Sequence, residues 1–497
     1  MGTGFDARGQ IVNLWVNFLT MKRYLAFLAS AAILLSLLVA AGEKEGHTIK
    51  VRIHGLKDTV CYFGYHFGDK QYISDTARVD SKGNMVFTGE KKLDGGIYLV
   101  VLPNKKYVEF IVSGEDGFSL ETDTLETIKN MKVKGSKENE LFYEYLVFIN
   151  AEQKKMEAMK KQMDAFKDNK DSAAVYKARM QKLDEAVQEY KLKFMKDHSG
   201  TFVAKIFQTS QEPKLPPIPI LANGRKDSTF TYRFYRDNFL KDVDFSDRRL
   251  LRTPLLHSKI KVYMENLTYQ VPDSLIRSAK YIIEKSRADK EVFRYCVVHL
   301  TSTYESSKIM GMDAVFVALV DEYYKPDLAY WADSTMLFKV TDRARVLKPL
   351  LIGKKTPNLI LADTANQLRN LHAVNNPYTI LCFWDPDCSH CKKTVPKLAE
   401  WYHLNKTQFN VEVYGVCTET EGEKWKKFIR DHNLDWINVA DLQLRNNFRA
   451  NYDISTTPII YLLDKDKKIF AKKIGVEQLT EILNAQKKNE ERLKGLK

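Results

Sequence analysis

The chain has 497 residues, which at roughly 100 to 200 residues per domain predicts about three domains. Its 44% hydrophobic and 28% charged residues exclude wholesale disorder, a collagen-like repeat and a membrane protein with many spans. The 77 basic and 63 acidic residues give a net charge of +14, but no motif for binding RNA or DNA accompanies it, and we expect no nucleic-acid partner. Six cysteines are too few for a disulfide scaffold, so a cysteine that matters here does so by its position.

An apolar segment near the N-terminus has the sequence MKRYLAFLASAAILLSLLVAAG. Basic Lys22 and Arg23, an apolar run from Tyr24 and small residues up to Ala41 follow the order of a secretory signal peptide. The run approaches the roughly 20 residues of a bilayer span, so an uncleaved anchor helix is the alternative, and only then would the chain be membrane-associated. Residues 1–41 are therefore interpreted as an upstream extension and signal peptide, which predicts a protein of the periplasm or cell envelope.

Residues 46–136 predict an all-β domain. Apolar and polar residues alternate in short runs, as at Ile49, Val51 and Ile53, and glycine- and aspartate-rich turn signals separate the runs. Strands of this length and spacing favour a sandwich or a partly open barrel.

Residues 137–350 predict a helical region. Two apolar stripes at helical spacing flank the polar run 168–171, which predicts a helical hairpin. The first stripe consists of Leu141, Tyr145, Phe148, Met156, Met159, Met163 and Phe166, and the second of Tyr176, Met180, Leu183, Val187, Tyr190 and Phe194. The lysine-rich outer face of this hairpin is interpreted as solvated surface, and it accounts for much of the positive charge. A proline-rich connector at 213–219 leads to further helices, for which the sequence indicates no ligand.

Residues 351–490 alternate between strand and helix patterns, which indicates a central mixed sheet covered by helices. Strands are predicted at 359–361, 379–384, 411–416, 459–463 and 469–474, and helices from 388 onward, at 424–432 and at 477–493. The predicted fold class is therefore α+β and multidomain, with an all-β sandwich, a helical middle region and a C-terminal α/β domain.

A Cys-Ser-His-Cys sequence at residues 388–391 follows an apolar strand and opens a helix. The first turn of a helix has unpaired backbone N–H groups and the positive end of the helix dipole, and both stabilise a thiolate at Cys388. His390 lies between the two cysteines in sequence, and a protonated imidazole there would stabilise the thiolate further.

Three further marks accompany this pair: Trp384 ahead of it, Pro396 one turn into the helix, and Thr457-Pro458 directly before a strand. With them, residues 351–490 resemble the thioredoxin-like proteins, and specifically the exported thiol:disulfide interchange proteins of TlpA and ResA type. The β and helical regions resemble uncharacterised N-terminal regions fused to redoxins in envelope proteins of Gram-negative bacteria, which implies no function for them.

The resemblance implies that Cys388 is the attacking nucleophile and Cys391 the buried resolving thiol. It implies a cis-proline loop at Pro458 that packs beside the pair and binds substrate backbone, with Trp384, His390 and Thr457 as supporting residues. No cofactor is expected beyond the redox-active disulfide of the pair. The expected partners are protein dithiols or disulfides and a membrane-embedded electron donor. The resemblance favours a reductase, although an oxidase or an isomerase would use the same two sulfurs.

Two departures from the family pattern concern proton transfer. Cys382 stands where many thioredoxins have a buried acid, and Thr394 stands where related exported proteins often have a glutamate. We therefore expect His390, water or an acid from the loop at 417–419 to serve the resolving thiol, or resolution to be slow. Cys382 and Cys417 lie on strands that are neighbours in this fold, so a second redox couple is also conceivable.

Zinc binding and peroxide reduction are other functions that cysteines can serve in a domain of this kind. Structural zinc needs four ligands, and the sequence has no second CxxC or paired histidines to complete a site. Peroxide-reducing relatives have Thr or Ser three residues before a lone cysteine, whereas Asp385 occupies that position and the cysteine is paired. A thiol peroxidase, or an envelope binding or scaffold protein with a vestigial redoxin domain, are the alternatives.

Overall fold

The computed structural model describes residues 46–165 and 170–495, so the signal segment predicted within 1–41 lies outside the described residues. The contacts divide the chain into two compact units. One unit contains the residues up to Ser210 together with Arg249–Leu255, and the other contains Gln211–Arg248 and Leu256–Lys497. The domain boundaries at 136 and 350 stay predictions. No helix within the described ranges combines the length and the apolar character that a membrane span requires.

The first unit begins with a β-sandwich, as predicted. Its two four-stranded sheets have the strand orders β4-β1-β7-β8 and β3-β2-β5-β6. The strands are β1 His47–His54, β2 Thr59–Phe67, β3 Lys70–Val79, β4 Asn84–Gly89, β5 Gly96–Val101, β6 Tyr107–Val112, β7 Gly117–Asp123 and β8 Lys132–Lys134. Strand β1 is parallel to β7, and the other neighbours are antiparallel.

The alternation read from the sequence places one face of each strand in the sandwich core. The ring of Phe63 stacks on Phe87 with centroids 4.8 Å apart and lies 5.9 Å from Phe110. Cys61 is fully buried in the same layer. Aromatic pairs of this kind add about 0.5–1.5 kcal/mol to the burial of their area, so these rings dominate the stability of the sandwich.

In the described part of this unit, three helices follow the sandwich: α1 Lys137–Ala165, α2 Lys170–Asp197 and α3 Phe202–Ser210. The first two form the predicted hairpin, in which the rings of Phe148 and Tyr190 stack 4.1 Å apart. The buried side chain of Asn139 fixes the base of α1 because its amide donates to the Ile111 carbonyl and accepts from the Ile111 N–H, both at 2.7 Å. Farther along α1, Met156 is only half-buried, since the hairpin offers it a single partner helix.

The second unit carries the remaining helices of the middle region: α4 Phe230–Asn238, α5 Pro254–Glu265, α6 Pro272–Lys285, α7 Lys290–Glu305, α8 Asp313–Tyr323 and α9 Ser334–Leu347. The apolar faces of α6 and α8 are buried, as shown by Ile282 and Phe316. Asp289 caps α7 by accepting the N–H groups of Glu291 and Val292. Short helical turns of this unit lie at Ser286–Ala288, Lys348–Leu350, Leu371–Ala373 and Val476–Gln478, whereas the turn Arg248–Arg252 belongs mostly to the first unit.

The C-terminal domain is built on a seven-stranded mixed sheet with the order β10-β9-β13-β12-β11-β14-β15. Its elements are β9 Ile360–Asp363, β10 Leu368–Asn370, β11 Tyr378–Trp384, α10 Ser389–Phe409, β12 Val411–Cys417, α11 Gly422–Asp431, β13 Ile437–Ala440, α12 Phe448–Asn451, β14 Ile459–Leu463, β15 Ile469–Lys472 and α13 Leu479–Gly495. Strands β11, β12 and β13 are parallel, and β14 is antiparallel to β11.

Strand β11 lies inside the sheet and is buried along its whole length. Cys382 and Trp384 face one apolar cluster, and Leu381 and Phe383 face the cluster on the other side of the sheet. A strand covered on both faces needs a continuous apolar run, which is why the sequence pattern identified it. A turn of three residues connects the end of this strand to the Cys-Ser-His-Cys segment.

Candidate active site

A tight turn connects β11 to α10 and places Cys388 at the start of the helix. Asp385 accepts the N–H of Asp387 on its carboxylate at 2.7 Å, and its carbonyl accepts the N–H of Cys388 at 3.3 Å. Cys388 has extended backbone angles and is the N-cap residue of α10. The predicted position of this cysteine, beside the unpaired N–H groups of a helix start, is therefore the one that the chain adopts.

The thiol of Cys388 is partly exposed and donates to the Thr457 carbonyl at 3.3 Å. Burial by itself raises the pKa of this thiol, but the Thr457 side chain and the backbone N–H groups of Cys391 and His390 favour the charged form. The net pKa of Cys388 lies below the ordinary value of 9.0. A solvent-accessible thiol with a lowered pKa has the properties of an attacking nucleophile.

Cys391 lies one turn into α10 and is fully buried. Its sulfur accepts the backbone N–H of Asp385 at 3.4 Å. Burial raises the pKa of Cys391 to about 12, so this thiol stays protonated where Cys388 ionises. The two sulfurs of the pair are therefore chemically unequal, although only two residues separate them.

The loop before β14 lies beside the pair. The peptide bond between Thr457 and Pro458 is cis, as the resemblance implied. Because Ile459 of β14 pairs with Phe383 of β11, the strand register brings this loop to the same edge of the sheet as Cys388. The contact between Cys388 and Thr457 joins residues 69 positions apart in sequence.

Trp384 and His390 occupy opposite environments. Trp384 is fully buried, packs against Phe428 at 4.9 Å, and accepts the Thr418 N–H on its carbonyl at 2.8 Å, so it supports the turn from beneath. The His390 side chain is exposed and, in the part of the chain that the structure describes, its ring makes no hydrogen bond. Stabilisation of the thiolate by the His390 ring stays a prediction.

Two more thiols lie beneath the pair. Cys382 and Cys417 belong to the same apolar cluster as Cys391. Burial, followed by the nearby charge of Cys391, raises the pKa of Cys382 well above its usual range, and burial raises the pKa of Cys417 to about 12. The position where many thioredoxins have an acid is therefore filled by a thiol that stays protonated at neutral pH.

Carboxylates surround the outer side of the turn. Oxygen atoms of Asp385, Asp387 and Glu419 all lie within 4.8 Å of one another. Lys424 forms an ion pair with Asp387 at 2.9 Å, and this contact lowers the pKa of Asp387. The ion pair between Lys424 and Asp387 could not be predicted from the sequence, because nothing in the local pattern points to a partner 37 residues away.

Three family matches divide the chain. Residues 352–472 match the AhpC/TSA family. Residues 47–142 match DUF4369 and residues 150–340 match DUF5106, both of them domains of unknown function.

Individual relatives point to thiol-disulfide chemistry. The thiol-disulfide oxidoreductase ResA of Bacillus cereus is 28% identical over 132 residues, which span 27% of this chain and 74% of ResA. The crystal structure of a domain of a possible thiol-disulfide isomerase from Cytophaga hutchinsonii is 43% identical, covering 29% of this chain and 98% of that domain with a TM-score of 0.28. A thioredoxin-like protein from Bacteroides caccae is 18% identical, covering 55% of this chain and 99% of that one with a TM-score of 0.44.

Both TM-scores lie below 0.5, so the assignment rests on the similarity to ResA and on the AhpC/TSA match. These two findings define the class: the protein is a protein-disulfide oxidoreductase with a thioredoxin-like domain. The similarity to ResA confirms the resemblance to TlpA/ResA-type redoxins noted in the sequence.

Proposed function

We propose that the chain is an exported oxidoreductase that reduces or isomerises disulfides of envelope proteins through Cys388 and Cys391. The observation that carries this proposal is the contrast between the two thiols. Cys388 is accessible with a lowered pKa, whereas Cys391 is buried with a pKa of about 12. Export is supported by the signal pattern ending at Ala41, and protein disulfides as substrates are supported by the named activity of ResA.

The first step is attack by the Cys388 thiolate on one sulfur of a substrate disulfide. A new S–S bond joins Cys388 to the substrate, the old S–S bond breaks, and the second substrate sulfur leaves as a thiolate that takes up a proton. Cys391 then loses its proton and attacks the Cys388 sulfur, which forms the Cys388–Cys391 disulfide and releases the remaining substrate thiol. The substrate gains two electrons and the enzyme pair loses two.

Resolution requires that Cys391 lose its proton despite its burial. The Asp385 N–H, which already contacts the Cys391 sulfur, stabilises the thiolate as it forms. The departing substrate thiolate and the carboxylates of Asp385 and Glu419, which lie beside the turn, are the bases that we assign to this proton. A second dithiol must reduce the Cys388–Cys391 disulfide after each turnover, and we assign that role to a membrane-embedded electron donor.

The loop at Thr457 and Pro458 lies beside Cys388, where it can bind the backbone of a substrate segment that presents its disulfide. Neither a thiol peroxidase nor a binding protein with a vestigial redoxin domain is favoured. A vestigial domain has no physical reason to keep two thiols in unequal environments beside this loop.

Trapping with Cys391→Ser tests the function. Because the variant cannot resolve, we expect a covalent mixed disulfide between Cys388 and a disulfide-containing substrate such as insulin, visible on a non-reducing gel and lost on reduction. The matched control is the variant with both Cys388→Ser and Cys391→Ser, which should trap nothing. Absence of a trapped species, combined with no insulin reduction by the native protein, would contradict the proposal. Equilibration of the native pair against a glutathione series then separates reductase from oxidase.

A further inference from the structure

A buried ion cluster lies at the start of the loop that contacts Cys388. The Asp453 carboxylate is 2% exposed and receives both terminal nitrogens of the Arg343 guanidinium, at 2.5 and 3.0 Å. The Lys473 amine adds a contact at 2.8 Å. A charge this deeply buried is stable only when it is paired, so Asp453 depends on these two partners. Arg343 belongs to α9 of the helical region, 110 residues before Asp453.

Lys473 links the beginning and the end of the loop. Its side chain contacts Asp453, which precedes the loop, while its backbone N–H donates at 2.9 Å to the carbonyl of Ile460, which follows it. Lys473 has a left-handed backbone with a φ of 55°, a conformation that residues with a Cβ adopt only when surrounding contacts hold it. The segment between these two anchors, residues 454–459, contains Thr457 and Pro458.

The neighbouring residue ties the same strand to the helical region. The buried Lys472 amine forms an ion pair with Asp313 of α8 and donates to the Leu350 carbonyl at 2.6 Å. Strand β15 is therefore held from outside the C-terminal sheet, and Arg343 holds the adjacent loop in the same way. Both sets of contacts lie within one compact unit of the chain.

From this geometry we propose that Arg343 is a positioning residue for the thiol chemistry, acting through Asp453 on Thr457. The Thr457 side chain favours the charged form of Cys388, whereas the Thr457 carbonyl accepts a hydrogen bond from the protonated thiol at 3.3 Å. Because the side chain lowers the Cys388 pKa, the placement of this loop sets how readily Cys388 ionises. The helical region thus contributes a residue to the tuning of a site that lies wholly in the C-terminal domain. The inference rests on the proposed role of Cys388 as the nucleophile.

The test is the variant Arg343→Gln in the full chain, followed by thiolate absorbance and by iodoacetamide alkylation of Cys388 across pH. We expect the Cys388 pKa to rise and its alkylation at pH 7 to slow by about threefold to tenfold, because the thiolate fraction changes tenfold per pKa unit. Arg343→Lys keeps one charged contact and should recover part of the rate. Arg345→Gln is the matched control, since Arg345 lies on the same helix and pairs with the exposed Asp342.

Lys473→Gln covers the case in which Arg343→Gln fails to fold. The Lys473 side chain is half-exposed, and its substitution removes only one partner of Asp453. We therefore expect a folded protein with a smaller rise in the Cys388 pKa. A lower melting temperature with an unchanged Cys388 pKa in the folded variants would overturn the inference and leave a structural role only. An effect of Arg345→Gln equal to that of Arg343→Gln would overturn it too. If Cys388 of the native protein is not the reactive thiol, the proposed function fails instead.

Discussion

The β-sandwich and the thioredoxin-like domain each bury cysteines on their strands, but their thiols differ in chemistry. Cys61 in the sandwich lies between apolar layers, and burial alone raises its pKa. In the C-terminal domain the parallel strand β11 feeds directly into a helix, which places Cys388 among backbone N–H groups and lowers its pKa. Burial makes a thiol inert, whereas a helix start at the edge of a sheet makes it reactive.

The largest expected difference is in activity, between a variant that lacks Cys388 and a variant that lacks Cys61. We expect Cys388→Ser to lower the rate of insulin reduction by about 100-fold or more, because the proposed nucleophile is lost. Cys61→Ser should leave that rate unchanged, since its sulfur is buried in a different part of the molecule. A comparable loss of activity in Cys61→Ser, in protein shown to be folded by circular dichroism, would break the comparison.

The next largest expected effect is a difference between the cysteines in how their alkylation rates depend on pH. The thiolate is the reactive form, so the rate at each thiol rises with pH until that thiol is ionised. For Cys388 the midpoint of this rise should lie below pH 9.0, whereas Cys391 and Cys417, with pKa values of about 12, should still be largely unreactive there.

At pH 7 we expect Cys388 to react at least about ten times faster than any other cysteine, as mass mapping of the alkylated peptides would measure. Protein unfolded in guanidinium is the control, since all six thiols should then react alike. Early labelling of Cys61 in the folded protein would show that burial does not protect it.

The smallest effect concerns the carboxylates beside the pair. Lys424→Gln leaves Asp387 without its ion-pair partner, so the unshielded negative charge should oppose ionisation of Cys388. Because exposed ion pairs are weak, we expect alkylation of Cys388 at pH 7 to slow by no more than about twofold. Adding Asp387→Asn should restore the native rate. A tenfold loss, or no recovery in the double variant, would show that Lys424 acts in another way.

Local patterns in the sequence predicted most of the fold. The alternation at Ile49, Val51 and Ile53 identified the sandwich, and the buried run before Cys388 identified the central strand. Strands β10 and β13 were missed because the three residues of β10 are all exposed, and polar Asn438 interrupts the short apolar run of β13. The helical stripe predicted a face for Met156 but not that its single partner helix would leave it half-buried.

The sequence by itself determined the order of the elements and the placement of Cys388 and Cys391 at a helix start, because both depend on residues within one strand and one turn. The family resemblance, and no local pattern, implied that the loop at Thr457 packs beside Cys388, 69 residues away. Only the tertiary structure decided that Arg343 pairs with Asp453, 110 residues away. Periodicity shows which side of an element faces inward, but not which distant element it meets. The tuning that we propose for Cys388 depends on such a distant contact, so it could be found only in the folded chain.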